Sequence, residues 1–179
     1  MPLASYPGTH PSGKGTLPPC RKVPYVSGDP GPCDPTKAHY SERMLTGYRW
    51  YDANAVKPAF AFGHGLSYSA FSFGALLVAG RSVSFTLSNV GGVAAIEVPQ
   101  LYLRAPQTSG ESSYRQLRGF RRCALAAGES VTVNFTLTDR WLSQWDVDTH
   151  NWKLIRGVHS LMVGASSDDI RLHASLNVS

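Results

Sequence analysis

The side chains of this chain that could do acid–base chemistry are few, and they gather around one dense aromatic passage. Glu42 and Asp52 are the carboxylates nearest to it, and His64 stands inside it between Gly63 and Gly65. Two carboxyl groups can divide the work of acid and base or nucleophile, and an imidazole can carry a proton near neutral pH. The surrounding residues favour a structural reading instead. Arg49 lies between Tyr48 and Trp50, where a planar guanidinium can bond a carboxylate while stacking on a ring. Glu42 and Asp52 are therefore expected to pair with Arg49 or to cap backbone amides. His64 is expected to be a buried or half-buried histidine that fixes a bend by hydrogen bonds. Its flanking glycines suggest positive φ or a close backbone approach, with Phe60, Phe62, Leu66, Tyr68 and Phe71 packed around the bend. No residue of this chain is assigned a catalytic role.

The remaining chemistry-bearing types exclude more than they offer. Six histidines and three cysteines show neither Cys-x-x-Cys nor His-x-x-x-His spacing, so neither a metal site nor a cofactor is expected. Cys20 and Cys33 share a proline- and glycine-rich stretch and are a candidate disulfide, leaving Cys123 as a small buried thiol in a strand-like run. Asn134-Phe135-Thr136 and Asn177-Val178-Ser179 are candidate glycosylation sequons. Trp141, Trp145 and Trp152, with Asp146 and Asp148, could form a platform for a sugar ring, although aromatics in a small sandwich more often cover the core edge. The formal net charge of +5 draws attention to Arg115, Arg118, Arg121 and Arg122. No nucleic-acid motif accompanies them; they read as the solvated face of a strand, and no nucleic-acid partner is expected. No apolar run is long enough to span a membrane. The first residues lack the basic start and apolar run of a signal peptide, so export would have to be directed from upstream.

These residues must be positioned by a chain of 179 residues, enough for one ordinary core and an additional piece. Residues 1 to about 39 are crowded with proline, glycine, serine and threonine, hold no apolar period and read as poorly packed loop. Residues 40 to 51 fit a short helix or a strand equally well. Beyond Phe71 the pattern becomes one of strands. Val83, Phe85 and Leu87 alternate with polar residues, as do Val131, Val133, Phe135 and Leu137, which puts Asn134 on an outer face. Residues 96–104 are strand-like with Pro99 marking an edge or bulge, and 116–125, 160–164 and 170–178 supply further strands. Several short strands parted by turn residues, without a long helix, indicate an antiparallel β-sandwich.

Two runs, Gly47-Tyr48-Arg49-Trp50-Tyr51-Asp52 and Phe62-Gly63-His64-Gly65-Leu66-Ser67-Tyr68, occur in one order with a short spacer. Together, from Tyr40 to Tyr68, they resemble the signature with which family 3 glycoside hydrolases of the β-glucosidase and β-xylosidase type close their second catalytic domain. Arg43 stands where that family usually has glycine. The resemblance continues to about Leu172 through Asn89-Val90-Gly91, Glu97-Val98-Pro99-Gln100-Leu101-Tyr102, Leu117-Arg118-Gly119-Phe120, Gly128-Glu129-Ser130, Trp145-Asp146 and Val163-Gly164-Ala165-Ser166-Ser167-Asp168-Asp169-Ile170. It departs at Arg156-Gly157 and His159, where relatives carry Pro-Gly and a tyrosine.

The resemblance implies a mainly β chain: an immunoglobulin-like, fibronectin type III-like sandwich over 71–179, preceded over 1–70 by the loop-rich remnant and linker of an α/β catalytic domain. A retaining glycosidase needs two carboxyl groups about 5–5.5 Å apart. The family's nucleophile and acid/base both fall outside the stretch matched here, so the chain alone is expected to be inactive. Its implied partners are the upstream catalytic domains of a secreted parent chain, with an oligo- or polysaccharide as a further candidate. The competing reading is a stand-alone carbohydrate-binding or adhesion module, which would have no use for residues 40–68.

Overall fold

A computed structural model of the chain describes residues 44–107 and 114–179. The candidate Cys20–Cys33 disulfide, Glu42 and the loop-like first forty residues lie outside the described residues. Gly47 to Ser179 form one compact unit, so residues 47–70 fold together with the strands that follow them. The ambiguity at residues 40–51 resolves as a short helix, α1 (Tyr48–Ala53).

The strands are β1 (Phe71–Ala79), β2 (Ser82–Asn89), β3 (Ala95–Glu97), β4 (Gln100–Arg104), β5 (Gln116–Phe120), β6 (Cys123–Leu125) and β7 (Ser130–Thr136). A 3-10 turn (Asp139–Leu142) leads to β8 (Ser143–Asp146), β9 (Asn151–Leu154), β10 (Gly157–Gly164) and β11 (Ile170–Val178). One antiparallel sheet has the order β1-β2-β7 and the other β11-β10-β4-β5; β3 with β6 and β8 with β9 form short separate ladders. The protein is the mainly β antiparallel sandwich that the alternation indicates.

The inward faces are the ones that the period of two selects. Val83, Phe85 and Leu87 of β2 are buried opposite Phe135, Val133 and Val131 of β7. Leu101, Leu103, Leu161 and Val163 bring the inner face of the second sheet to the same core. Each fully buried side chain of this kind stabilises the fold by roughly 1.5–3 kcal/mol. Two long strand expectations break in the middle. Residues 96–104 divide into β3 and β4 at Val98-Pro99, because Pro99 has no N–H for a ladder and the chain there leaves one ladder for another. Residues 116–125 divide into β5 and β6 at Arg121-Arg122, where the Arg121 N–H donates to the Pro99 carbonyl (3.2 Å). In β5 the pairing with β4 slips by one residue between Leu117 and Gly119, so Arg118 is the extra residue of a bulge. β1 carries a bulge too, at Ala75, whose φ is 50°.

Candidate functional site

The signature residues form a strap, 47–70, tied to the second sheet through buried polar groups. Asp52 on α1 is its main anchor. Its carboxylate is 8% exposed and meets four nitrogens: Arg104 Nη2 (2.8 and 3.1 Å) and the Arg115 backbone N (2.9 Å), Nε (2.7 Å) and Nη2 (2.6 Å). Burial pushes the Asp52 carboxyl up, but the Arg115 bonds and the charges of both arginines outweigh it and hold the group below the usual carboxylate range. Arg115 also donates from Nη1 to the Ser167 carbonyl (2.7 Å), linking the anchor to the end of the sheet. Tyr48, one helical turn before Asp52, accepts the Leu117 N–H at its hydroxyl (2.8 Å), stacks on Phe62 (4.7 Å) and meets the edge of Tyr102. Of the two expected roles for Asp52, it takes a backbone N–H, that of Arg115, but it does not pair with Arg49. Asp52 is held by Arg104 and Arg115, whereas Arg49 lies over the Tyr114 ring (5.8 Å).

The second run of the signature is held at its backbone. Gln100 donates from Nε2 to the carbonyls of Gly63 (3.3 Å) and Ala165 (2.7 Å), while its Oε1 accepts from the buried Tyr102 hydroxyl, whose pKa burial raises. The Ser167 N–H donates to Phe62 O (2.9 Å). Gly63 has φ 78°, and a Cβ there would collide with the Gln100 side chain, so its glycine is required twice over. Gly65 is different: it has no positive φ, and a Cβ would meet nothing within 4 Å. His64 is exposed, with Phe60 beside its ring (5.8 Å), and does not sit inside the bend as expected. Of the five aromatic and aliphatic residues expected around that bend, only Phe71 is buried. Phe60, Phe62, Leu66 and Tyr68 are 79%, 48%, 95% and 102% exposed.

Asn89 closes the strap at its far end. It is fully buried and uses both ends of its amide: Oδ1 accepts from Ser69 Oγ (2.6 Å) and the Gly91 N–H (3.0 Å), and Nδ2 donates to the carbonyls of Val93 (2.8 Å) and Leu125 (3.2 Å). Gly91 admits no side chain, since a Cβ would run into Ser69 and the Ala70 nitrogen. The Asn-x-Gly phrase is therefore a joint between the strap, the loop after β2 and the end of β6.

The other candidates are dispersed. Asn134 and Asn177 are exposed on β7 and β11. Cys123 is a buried free thiol whose pKa burial raises. Trp141 packs against the core, while Trp145 and Trp152 face one another across the β8–β9 hairpin with ring centroids 5.4 Å apart. Asp146 caps the hairpin loop by accepting the N–H groups of Asp148 (3.0 Å) and Thr149 (3.2 Å), so it does not line the tryptophans as a ligand group. Of the four arginines read as a solvated face, Arg121 and Arg122 are exposed, but Arg115 and Arg118 are half-buried. Arg104 and Arg115 are the anchoring residues that local pattern does not reveal, because each meets Asp52 from more than fifty positions away in sequence.

Two sheets in this order, with the strap across one of them, define a fibronectin type III-like sandwich, and the profile of the fibronectin type III-like domain matches residues 97–167. Probable β-glucosidase L of Aspergillus terreus is 36% identical over 92% of this chain and 26% of its own length. Thermostable β-glucosidase B of Acetivibrio thermocellus is 34% identical over 82% of this chain and 20% of its own. Among solved structures, the β-glucosidase DesR of Streptomyces venezuelae, determined with D-glucose, superposes with a TM-score of 0.74 at 41% identity, covering 78% of this chain and 19% of that one. The β-glucosidase D2-BGL of Chaetomella raphigera gives 0.75 at 34% identity, covering 83% and 24%. The chain belongs to the family 3, β-glucosidase-like glycoside hydrolases and corresponds to their C-terminal part. It spans 26% or less of each of these relatives.

Proposed function

We propose that this unit is the docking and stabilising module of a β-glucosidase-type hydrolase, which hydrolyses O-glycosyl bonds with carboxylates supplied by the upstream catalytic domains of the same protein. The observation that carries this reading is the outward face of the strap. Phe60, Phe62, Leu66 and Tyr68 are exposed within nine residues of chain, on a segment that Asp52, Gln100 and Asn89 hold against the sheet. Single exposed apolar residues are ordinary, but such a concentration on a fixed segment has the character of an interface. Asp52 itself is unsuited to attack a sugar, since both of its oxygens are engaged by guanidinium groups. A free-standing carbohydrate-binding module would have no use for this strap. The exposed sequons Asn134 and Asn177 suit a secreted parent.

The purified chain is expected to show no turnover of an aryl β-glucoside. Added to the catalytic region of the Streptomyces venezuelae relative prepared without its matching part, it is expected to restore hydrolysis. Leu66→Asp combined with Tyr68→Asp should remove that rescue. Turnover by the chain alone, or full rescue by the double variant, would overturn the proposal.

A further inference from the structure

We propose that the face running from α1 across β5 to the β8–β9 hairpin binds an acidic saccharide through Arg49, Arg118 and Arg140 beside the Trp145–Trp152 pair, the pyranose carrying carboxylate or sulfate groups.

The aromatic half of the face is preorganised. Trp145 and Trp152 are direct cross-strand partners inclined at 60°, and the Arg140 guanidinium rests 3.1 Å above the Trp152 ring, fixing its orientation. Below them on the same side of the hairpin, Ser143 is buried and Leu154 packs on the core, but the tryptophans lie beyond the core and stay 46% and 40% exposed. That leaves on the order of 100 Å² of each tryptophan residue open, with Arg140 occupying one face of Trp152. Exposed indole surface of this extent accepts the C–H side of a pyranose by dispersion and weak C–H···π contact.

Among the described residues no carboxylate neutralises the cationic half: none of Arg49, Arg118 and Arg140 makes an ion pair with one. The Nε–H groups of Arg49 and Arg118 are buried without a partner, a state that costs free energy unless an acceptor arrives. The bulge in β5 turns Arg118 out of the ladder register, and Gly119 beside it lies against Trp141, the neighbour of Arg140. Leu117 on its other side bonds Tyr48, the neighbour of Arg49. Arg118 therefore lies on the stretch of β5 that touches both the helix carrying Arg49 and the turn carrying Arg140. Burial is the main cause that lowers the Arg118 pKa; Tyr48 and Tyr114 oppose it, and Arg49 and Arg140 add smaller like-charge contributions in the lowering direction.

Three guanidiniums that end at a tryptophan pair match a short ligand carrying both ring faces and anionic groups. A nucleic acid would call for a longer basic track of phosphate contacts. Arg49 belongs to the strap's helix, but Phe60, Phe62, Leu66 and Tyr68, on which the docking proposal rests, take no part in this face.

Calorimetric titration of the whole chain with trigalacturonic acid and with cellotriose tests it. The acidic trimer is expected to bind about tenfold or more tighter than the neutral one, and to weaken at least about fivefold between about 50 and about 300 mM sodium chloride. Trp152→Ala and Arg118→Gln should each weaken it about tenfold, whereas Arg122→Gln should leave it unchanged. Arg140→Gln replaces Trp152→Ala if the latter fails to give the native circular dichroism spectrum. Equal affinity for the two trimers, binding that survives Arg118→Gln, duplex DNA binding as tightly as the acidic trimer, or no detectable heat would each overturn it.

Discussion

Replacing Asp52 by asparagine separates the strap from the sandwich by removing charge while keeping shape. Asparagine presents one carbonyl oxygen and one NH₂ group, so part of the four-nitrogen cluster would face a donor instead of an acceptor. Breaking a buried ion pair from one side typically costs about 3–5 kcal/mol, because the remaining charge is stranded. Here Arg104 and Arg115 are 39% and 21% exposed and can recover some hydration, which lowers the expected cost to about 2–3 kcal/mol. If the strap opens locally, its protected amides should exchange roughly 30–150-fold faster. The reporters are the Leu117 and Ser167 N–H groups, which donate to Tyr48 and Phe62 of the strap, against the Phe85 and Leu161 amides of the sheets. If strap and sandwich unfold together, all four amides should follow and Tm should fall by roughly 3–5 °C per kcal/mol for a unit of this size. Exchange at Leu117 and Ser167 within a factor of about two of native, with Tm unchanged, would refute the anchor. The pH dependence has a definite sign. The folded pKa lies below the unfolded value, so this contribution is complete above about pH 4 and is lost as pH falls through the folded pKa; the asparagine variant lacks that acid limb.

Gly63→Ala and Gly91→Ala should each destabilise the chain by about 1–3 kcal/mol, whereas Gly65→Ala should lie within about 0.5 kcal/mol of native; urea midpoints with unchanged m-values would check all three, and equal costs at Gly63 and Gly65 would contradict the geometry. Ala75→Gly should stabilise the chain by about 0.5 kcal/mol and so raise the urea midpoint slightly, because alanine at φ 50° carries the left-handed penalty that glycine lacks. His159 is fully buried, with Nε2 on the Ile155 carbonyl (2.8 Å) and Nδ1 unpartnered, and burial is the main cause that lowers its pKa. The unfolded chain therefore takes up this proton first: the contribution of the neutral ring is complete above about pH 6.5 and is lost as pH falls toward the folded pKa. Urea titrations of the native chain and of His159→Gln at pH 7.5 and 5 should show the extra acid loss in the native chain alone.

The sandwich was legible because its signal is local. A period of two in residues 82–88 and 131–137 states which side faces the core, and both strands formed with that side buried. β8 and β9 were not read as strands, since four-residue segments crowded with tryptophan, aspartate and asparagine show no clear alternation. The slips at Ala75 and Arg118 are equally silent in sequence, because a bulge shifts register without any required residue type. For Asp52 the sequence offers pairing with Arg49 or capping of backbone amides; it does accept the Arg115 backbone N–H, but its guanidinium partners are Arg104 and Arg115. Proximity along the chain favours Arg49, and only the path of the sheet brings Arg104 and Arg115 to the helix.

His64 and its neighbours show where pattern reasoning stops for a physical reason. An aromatic run between glycines states that hydrophobic surface will leave water and that the backbone will bend; it does not state which protein surface will cover it. Gly-Tyr-Arg-Trp-Tyr-Asp directs Tyr48 and Asp52 at this unit's own sheet, while Phe-Gly-His-Gly-Leu-Ser-Tyr gives the sheet only its backbone and Gly63, and turns Leu66 and Tyr68 outward. Desolvation has the same sign within a domain and between domains, so composition cannot separate the two halves. Hydrogen bonding can, because the carbonyls of Phe62 and Gly63 are satisfied by Ser167 and Gln100 whether or not anything covers the rings above them. The second run thus keeps these carbonyls bonded beneath exposed Leu66 and Tyr68, and this is the arrangement on which the docking proposal rests.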